Sequence, residues 1–215
     1  MSAASLSQKN RITGGLVDRN QSLGFRFDGQ HYTGFAGDTL ASALLANNVR
    51  LVGRSFKYHR PRGILTAGSE EPNALVTIGD GAYQDPNSRA TTAQLFDGMS
   101  AKSQTKMGLL SFDLMAVNDF LSPLLGAGFY YKTFMWPAVF WEKIYEPIIR
   151  KAAGLGSLSG LADPDQYDKG YLHCDLLIIG SGPSGLMAAL AAAKSGLQII
   201  LADEDFCLGG RLNAE

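Results

Sequence analysis

Cysteine is nearly missing from this 215-residue chain: Cys174 and Cys207 stand alone and form no C-x-x-C pair. Cys174 opens the first of two parallel strands read below, and Cys207 follows the end of the second. That puts them at opposite sheet edges, roughly 15–20 Å apart at the rise of a strand residue, too far for a disulfide. A reducing cytoplasm is the expected compartment. Charge of one sign is also missing, since 19 basic and 20 acidic residues leave a net charge of -1, which excludes a global polyanion-binding field. The start, MSAASLSQKNRI, has no apolar stretch of the kind a secretory signal needs. Histidine is sparse: His31, His59 and His173 are scattered, and none sits at a metal-ligand or nucleophile spacing. There is no nucleophile elbow and no P-loop lysine, so no residue is read as catalytic, and no metal site is expected.

What is present is concentrated in residues 174–203, CDLLIIGSGPSGLMAALAAAKSGLQIILAD. Leu176 to Ile179 has the length and branching of a strand buried on both faces. It breaks into Gly180-Ser181-Gly182-Pro183-Ser184-Gly185, a G-x-G-x-x-G pattern opening a helix. Gly180 permits the tight turn, Gly182 lets a pyrophosphate approach the backbone, and Gly185 lets helix and strand pack closely. The helix N-terminus offers unpaired N–H groups to the phosphates. Ala188 to Ala193 is strong helix-forming sequence, Gly196 caps it, and Gln198 to Ala202 is a second strand. Asp203 follows 18 residues after Gly185, where a carboxylate can accept hydrogen bonds from ribose hydroxyls. A membrane span is excluded because the glycine turn would lie mid-bilayer without backbone partners. An adenine dinucleotide is the expected ligand.

Its identity is read from the residues after the strand. Asp203, Glu204 and Asp205 crowd three acids where a 2′-phosphate would meet like charge, which favours NAD over NADP; FAD also fits a ribose-binding acid. Gly209-Gly210-Arg211 can fold back over the dinucleotide, with Arg211 on phosphate or adenine. Because two strands this apolar cannot be covered by one helix, residues 171–215 are expected to be the incomplete start of a Rossmann-like, doubly wound domain.

The first ninety residues form a second unit. Leu23–Phe27 and Gln30–Phe35 read as strands joined by the hairpin turn Asp28-Gly29. Asp38 is expected to cap a helix over ASALLANN, with Leu40, Leu44 and Leu45 on one face. Extended residues 51–58, a turn at Pro61-Arg62-Gly63, a strand at 74–78 and turns at 79–81 and 85–87 follow. This order predicts a β-grasp domain, a small sheet folded over one helix, at 1–98. Residues 99–170 are expected to be a helical connector and linker. In it, 112–125 and 137–153 are helix-like, Pro147 kinks the second, Phe129, Tyr130, Tyr131, Phe134 and Trp136 pack between domains, and 154–170 is flexible.

The segments RSFKYHRPRGI (54–64), EEPNALVTI (70–78), AGFYYKTFMWP (127–137), YEPIIRKAAGLG (145–156) and the glycine turn resemble the α subunit of heterotetrameric sarcosine oxidases, which is several times longer. The resemblance implies a β-grasp domain related to plant-type 2Fe-2S ferredoxins. Cluster-bearing relatives carry C-x₄-C-x₂-C before the ALV strand; that spacing falls here on Thr66, Glu71 and Ala74, so no iron–sulfur cluster is expected. It further implies FAD and FMN in the assembled complex, held mainly with the partner β subunit, smaller partner subunits, and tetrahydrofolate bound in a C-terminal region beyond this chain. The implied reaction takes sarcosine, O₂ and tetrahydrofolate to glycine, hydrogen peroxide and methylene-tetrahydrofolate. A related amine, opine or proline dehydrogenase, a cyanide-forming glycine oxidase, or a non-enzymatic assembly module are the alternatives.

One basic run stays outside this account. Arg50, Arg54, Lys57, Arg60 and Arg62 interleave with Phe56, Tyr58 and His59. The chain has no net positive charge and no RNA-binding motif, so nucleic acid is not an expected partner. The alternation of Phe56 and Tyr58 reads as a half-buried strand with the cations on its solvent or interface side.

Overall fold

The computed structural model describes residues 8, 10–15, 17–124, 126, 128 and 136–213. Its N-terminal half is a five-stranded mixed sheet crossed by one helix. Strand β1 (Asp18–Phe27) and β2 (Gln30–Ala36) form the expected hairpin. Its two-residue turn needs positive φ at both positions, and Asp28 (49°) and Gly29 (81°) supply it. Helix α1 (Leu40–Ala46) follows. Strands β3 (Gly53–Arg54) and β4 (Pro61–Arg62) make a small separate pair. Strands β5 (Leu75–Ile78), β6 (Asp85–Arg89) and β7 (Met99–Ser103) complete the large sheet in the order β2-β1-β7-β5-β6. The β1–β7 pairing is parallel and the others are antiparallel.

Period-two alternation decides what this sheet buries. Leu23, Phe25 and Phe27 from β1, Val76 from β5, and Met99 and Ala101 from β7 point to one face and meet Leu40, Ala43 and Leu44 of α1. Each large side chain so enclosed contributes about 1.5–3 kcal/mol. The sheet folded over a helix matches the β-grasp expectation.

Several local expectations are corrected. Thr39, not Asp38, caps α1: its Oγ1 accepts from Ser42 N (3.2 Å), and Ser42 Oγ accepts from Thr39 N (3.0 Å). Asp38 is fully buried and its carboxylate is taken by Arg11 (2.7 Å), Phe35 N (2.9 Å) and the Ser42 hydroxyl (2.6 Å). Leu45 is exposed, because a 100° turn per residue carries it off the Leu40–Leu44 face. The turn of the basic segment lies at 55–60 rather than 61–63, since Pro61–Arg62 pairs back onto Gly53–Arg54. Phe56 and Tyr58 therefore belong to a turn and not to a half-buried strand. Asp85-Pro86-Asn87 is part of β6, an edge strand where the missing proline N–H costs no ladder bond. Finally, β7 begins at 99, so the sheet continues past residue 98 into the segment read as connector. Its small residues (Ser100, Ala101, Ser103) hid a strand that the parallel pairing with β1 fixes.

The connector holds short turns of helix. Helix α2 (Val117–Phe120) is flanked by 3-10 turns at Leu114–Ala116 and Ser122–Leu124. A 3-10 turn (Ala138–Phe140) and a π turn (Trp141–Tyr145) lead into α3 (Glu146–Ala152). Pro147 starts α3 rather than kinking it, because the first turn is where a proline lacks no needed donor. Phe129, Tyr130, Tyr131 and Phe134 lie outside the described residues. The beginning of the expected flexible linker is tied to the sheet: Gly154 O accepts from Gln104 Nε2 (2.9 Å), and Gly156 N donates to Asn87 Oδ1 (2.9 Å).

The basic run is used inside the chain. Arg54 is buried and donates to Leu110 O (2.9 Å from Nε) and His59 O (3.1 Å). Arg60 pairs with Asp119 at 2.7 Å. Lys57 and Arg60 lie 4.9 and 4.8 Å from the Tyr58 ring centroid. Arg54 and Arg60 thus fasten the β3–β4 hairpin to Leu110 and Asp119.

At the C-terminal end, β8 (Leu176–Ile179), α4 (Pro183–Ala193) and β9 (Ile199–Ala202) form a strand–helix–strand unit. The strands pair in parallel with Leu176 opposite Ile199 and Ile179 opposite Ala202.

Candidate functional site

The site is built at the carboxyl ends of β8 and β9, where the glycine turn leaves one strand and the acids leave the other. Gly180 adopts φ 95° and Gly182 caps α4 in extended conformation, with Pro183 in the first helical turn. Gly185 is there for close approach: a Cβ added to it would lie 1.9 Å from Gly180 O, so any side chain forces turn and helix apart. A Cβ on Gly182 would meet nothing within 4 Å, so that side of the turn is open to a ligand.

Asp203 holds the turn. One carboxylate oxygen accepts from Ser181 N and the other from Asp205 N (2.8 Å). The hydrogen bonds from Asp205 and Ser181 hold its carboxyl below the usual carboxylate range, so it stays ionised. A carboxylate has about four acceptor directions; the Ser181 hydroxyl and the Glu204 backbone also bond to this one, so a ribose hydroxyl would have to share an acceptor position with the turn.

The Gly209–Gly210 segment folds back as the sequence implies. Gly209 N donates to Ser181 O (3.0 Å) and lies 3.3 Å from Ser181 Oγ, and a Cβ on Gly210 would come within 3.2 Å of Gly182 Cα. Ser181 is completely buried, its side chain bonded to Asp203 and its Oγ accepting from Gly209 N. Gly210 and Arg211 open a 3-10 turn (Gly210–Asn213) over the glycine turn. Pro183 and Ser184 are exposed at the helix start. Glu204 and Asp205 point elsewhere: they border an open cleft of about 560 Å³ whose far wall is Asp85–Arg89, Thr92, Ala93, Gln94 and Phe96. The structure thus brings together Gly180 to Gly185, Asp203 and Gly210, and sets Glu204 and Asp205 to one side. Gly209 is the contact that sequence reasoning underused, and its pairing with Gly210 was the available signal.

Residues 20–106 match the family described as "2Fe-2S iron-sulfur cluster binding domain", and residues 175–215 match "FAD dependent oxidoreductase". A sarcosine oxidase subunit alpha of Rhizobium meliloti (strain 1021) is 63% identical over 198 residues, covering 92% of this chain and 20% of that protein. The chain resembles the N-terminal portion of a sarcosine oxidase alpha subunit. A second alpha subunit, from Corynebacterium sp. (strain U-96), is 36% identical over 94% of this chain and 16% of its own length. This chain therefore spans about a fifth or less of the alpha subunits it resembles. A crystal structure of L-proline dehydrogenase from P. horikoshii is similar over 91% of this chain and 27% of its own, at 20% identity and a TM-score of 0.44.

Two groups implied by these matches can be tested against the residues present. A dinucleotide fits: the turn is open beside Gly182, and an ionised acid stands at the second strand's end. A 2Fe-2S cluster does not fit. Clusters of this kind are held by four thiolates, and residues 20–106 contain no cysteine. Among the described residues, no group of three or more His, Cys, Asp or Glu is placed to hold a metal ion, and no helix is long and apolar enough to cross a membrane.

Proposed function

We propose that this chain is the front portion of the alpha subunit of a flavin-dependent sarcosine oxidase, supplying a dinucleotide site and a scaffold. The observation that carries the reading is the tie of Asp203 to the glycine turn through Ser181 N, which leaves an ionised acid and an open turn side by side. In this reading 171–215 begin a Rossmann-like domain completed by the rest of a longer subunit. The units are the β-grasp domain, extended here from 98 to the end of β7, then the connector to 170.

Gly180, Ser181, Gly182, Pro183, Ser184 and Gly185 would hold the diphosphate on backbone N–H groups and Asp203 the adenine ribose. Gly210 and Arg211 would close the turn from the other side. Asp203 at the strand end is the acid that would disfavour a 2′-phosphate, so NAD is the proposed ligand; Glu204 and Asp205 border the neighbouring cleft and contribute at most from a distance. FAD is the second reading, favoured by the FAD-dependent family matched at 175–215. A bound dinucleotide would supply the hydride or electron chemistry, while the chain's own residues would position it.

The whole subunit, with a β subunit and smaller subunits and with FAD and FMN, would oxidise sarcosine to glycine, reduce O₂ to peroxide and pass the one-carbon unit to tetrahydrofolate. The 63% identity to a sarcosine oxidase alpha subunit supports this substrate over an opine, proline or other amine, and over cyanide formation from glycine. Work in the cytoplasm fits the same reading. The test is co-expression of the full subunits followed by acid extraction and chromatography of the released nucleotides. We expect NAD with the flavins and sarcosine-dependent peroxide. Flavins without NAD would replace the NAD reading by the FAD one. Proline oxidation without sarcosine oxidation would overturn the substrate.

A further inference from the structure

The loop between β4 and β5 resolves the conflict between a cluster-binding family match and a segment without cysteine. Residues 63–74 carry no regular structure, yet Glu71 in their middle is only 2% exposed. Its Oε2 accepts from Leu65 N (2.7 Å), Thr66 N (2.6 Å) and the Thr66 hydroxyl (3.3 Å). Its Oε1 accepts from Asn73 N (2.8 Å). Four donors from both limbs of the loop thus converge on one carboxylate. Thr91 closes the base, its hydroxyl donating to Gly68 O (2.7 Å).

Burial pushes the Glu71 carboxyl up, but the N–H donors of Thr66, Asn73 and Leu65, with the Thr66 hydroxyl, outweigh it and leave it below its ordinary value. A buried anion surrounded by converging N–H groups is the arrangement that proteins use to fix a bound anion or cluster. Here the anion is covalently part of the loop. Glu71 also falls on the middle position of the three-residue spacing, Thr66, Glu71 and Ala74, that carries thiolates in cluster-bearing relatives.

We propose that Glu71 stands in for the metal cluster, its carboxylate gathering the loop so that residues 20–106 keep their fold as a metal-free scaffold. This rests on the scaffold part of the reading above. The test uses the whole subunit and its Glu71→Gln and Glu71→Asp variants, followed by amide hydrogen exchange, alongside anaerobic incubation of the parent with iron and sulfide. Gln replaces one acceptor by a donor facing Asn73 N–H, and Asp keeps the charge but is too short to reach both limbs. Exchange in peptides covering 63–74 should quicken about tenfold or more in both variants, while β1 and β7 change less than about twofold. Unchanged protection of 63–74 in a folded variant overturns the role of Glu71 alone. Should Glu71→Gln fail to fold, Glu71→Asp carries the same reading. Stoichiometric uptake of iron and sulfide by the parent, with a visible charge-transfer band, would instead overturn the metal-free scaffold; no uptake is expected.

Discussion

The two ends of this chain solve the burial problem differently. The sheet at 18–103 has a helix across one face, and Phe25, Leu40, Leu44, Val76 and Met99 are enclosed. The β8–α4–β9 unit is more apolar in sequence, yet no residue of its strands or helix is buried, and Ile179 is 81% exposed. Hydrophobic composition alone therefore does not make a core. A sheet needs a partner layer on each apolar face, and among the described residues only the first unit brings one. What β8–α4–β9 possesses instead is local order. Its turn is fixed by Gly185 against Gly180 and by Asp203 against Ser181, interactions that need no distant layer.

The contrast can be tested at increasing resolution. The largest effect belongs to Phe25→Ala, which should cost about 3–5 kcal/mol in chemical unfolding. Ile179→Ala in the same chain should change stability by less than about 1 kcal/mol. Equal costs would mean that the second unit has a core of its own. Next, limited proteolysis of the chain should leave a protected fragment that keeps β7 and ends between 104 and 160, with 171–215 digested early; the reverse order of cleavage would break the comparison. A smaller effect is expected for Gly185→Ala, whose Cβ meets Gly180 O. In the whole subunit it should weaken dinucleotide binding about tenfold or more, or ~1.4 kcal/mol, with the unfolding of the sheet unit unchanged.

The smallest concerns pH. Glu71 is held below its ordinary value in the folded state. Its contribution is therefore fully present above the unfolded carboxyl value of about 4.3 and is lost as pH falls through the lower folded one. Unfolding followed from pH 6 downward should show this acid limb in the parent and a shallower one in Glu71→Gln. An identical slope in both would remove Glu71 from the account of the loop.

Elements written in local chemistry were legible from the residues. The Asp28-Gly29 hairpin, the apolar face of Leu40 and Leu44, and the strand–glycine turn–helix–strand order at 176–202 each depend on neighbours close in sequence. Asp203 was legible too, through its spacing from the glycines, although its hold on Ser181 N was not. Leu45 and Pro147 were misplaced by local helix geometry, while the other errors arose where a tertiary partner overrode a local signal. Asp38 resembles a helix cap, but Arg11 and a buried position claim it. Asp85-Pro86-Asn87 resembles a turn, but pairing with β5 draws it into an edge strand.

By itself the sequence determined the glycine turn, its acid and the absence of thiolates in 20–106, because these depend on residue type and short spacing. Only the tertiary structure decided that Met99–Ser103 is a central strand beside β1. It alone also placed Glu204 and Asp205 at a separate cleft and turned Glu71 inward onto Leu65, Thr66 and Asn73. Those outcomes rest on hydrogen bonds and burial between segments tens of residues apart or on the path of an irregular loop. No local periodicity encodes them.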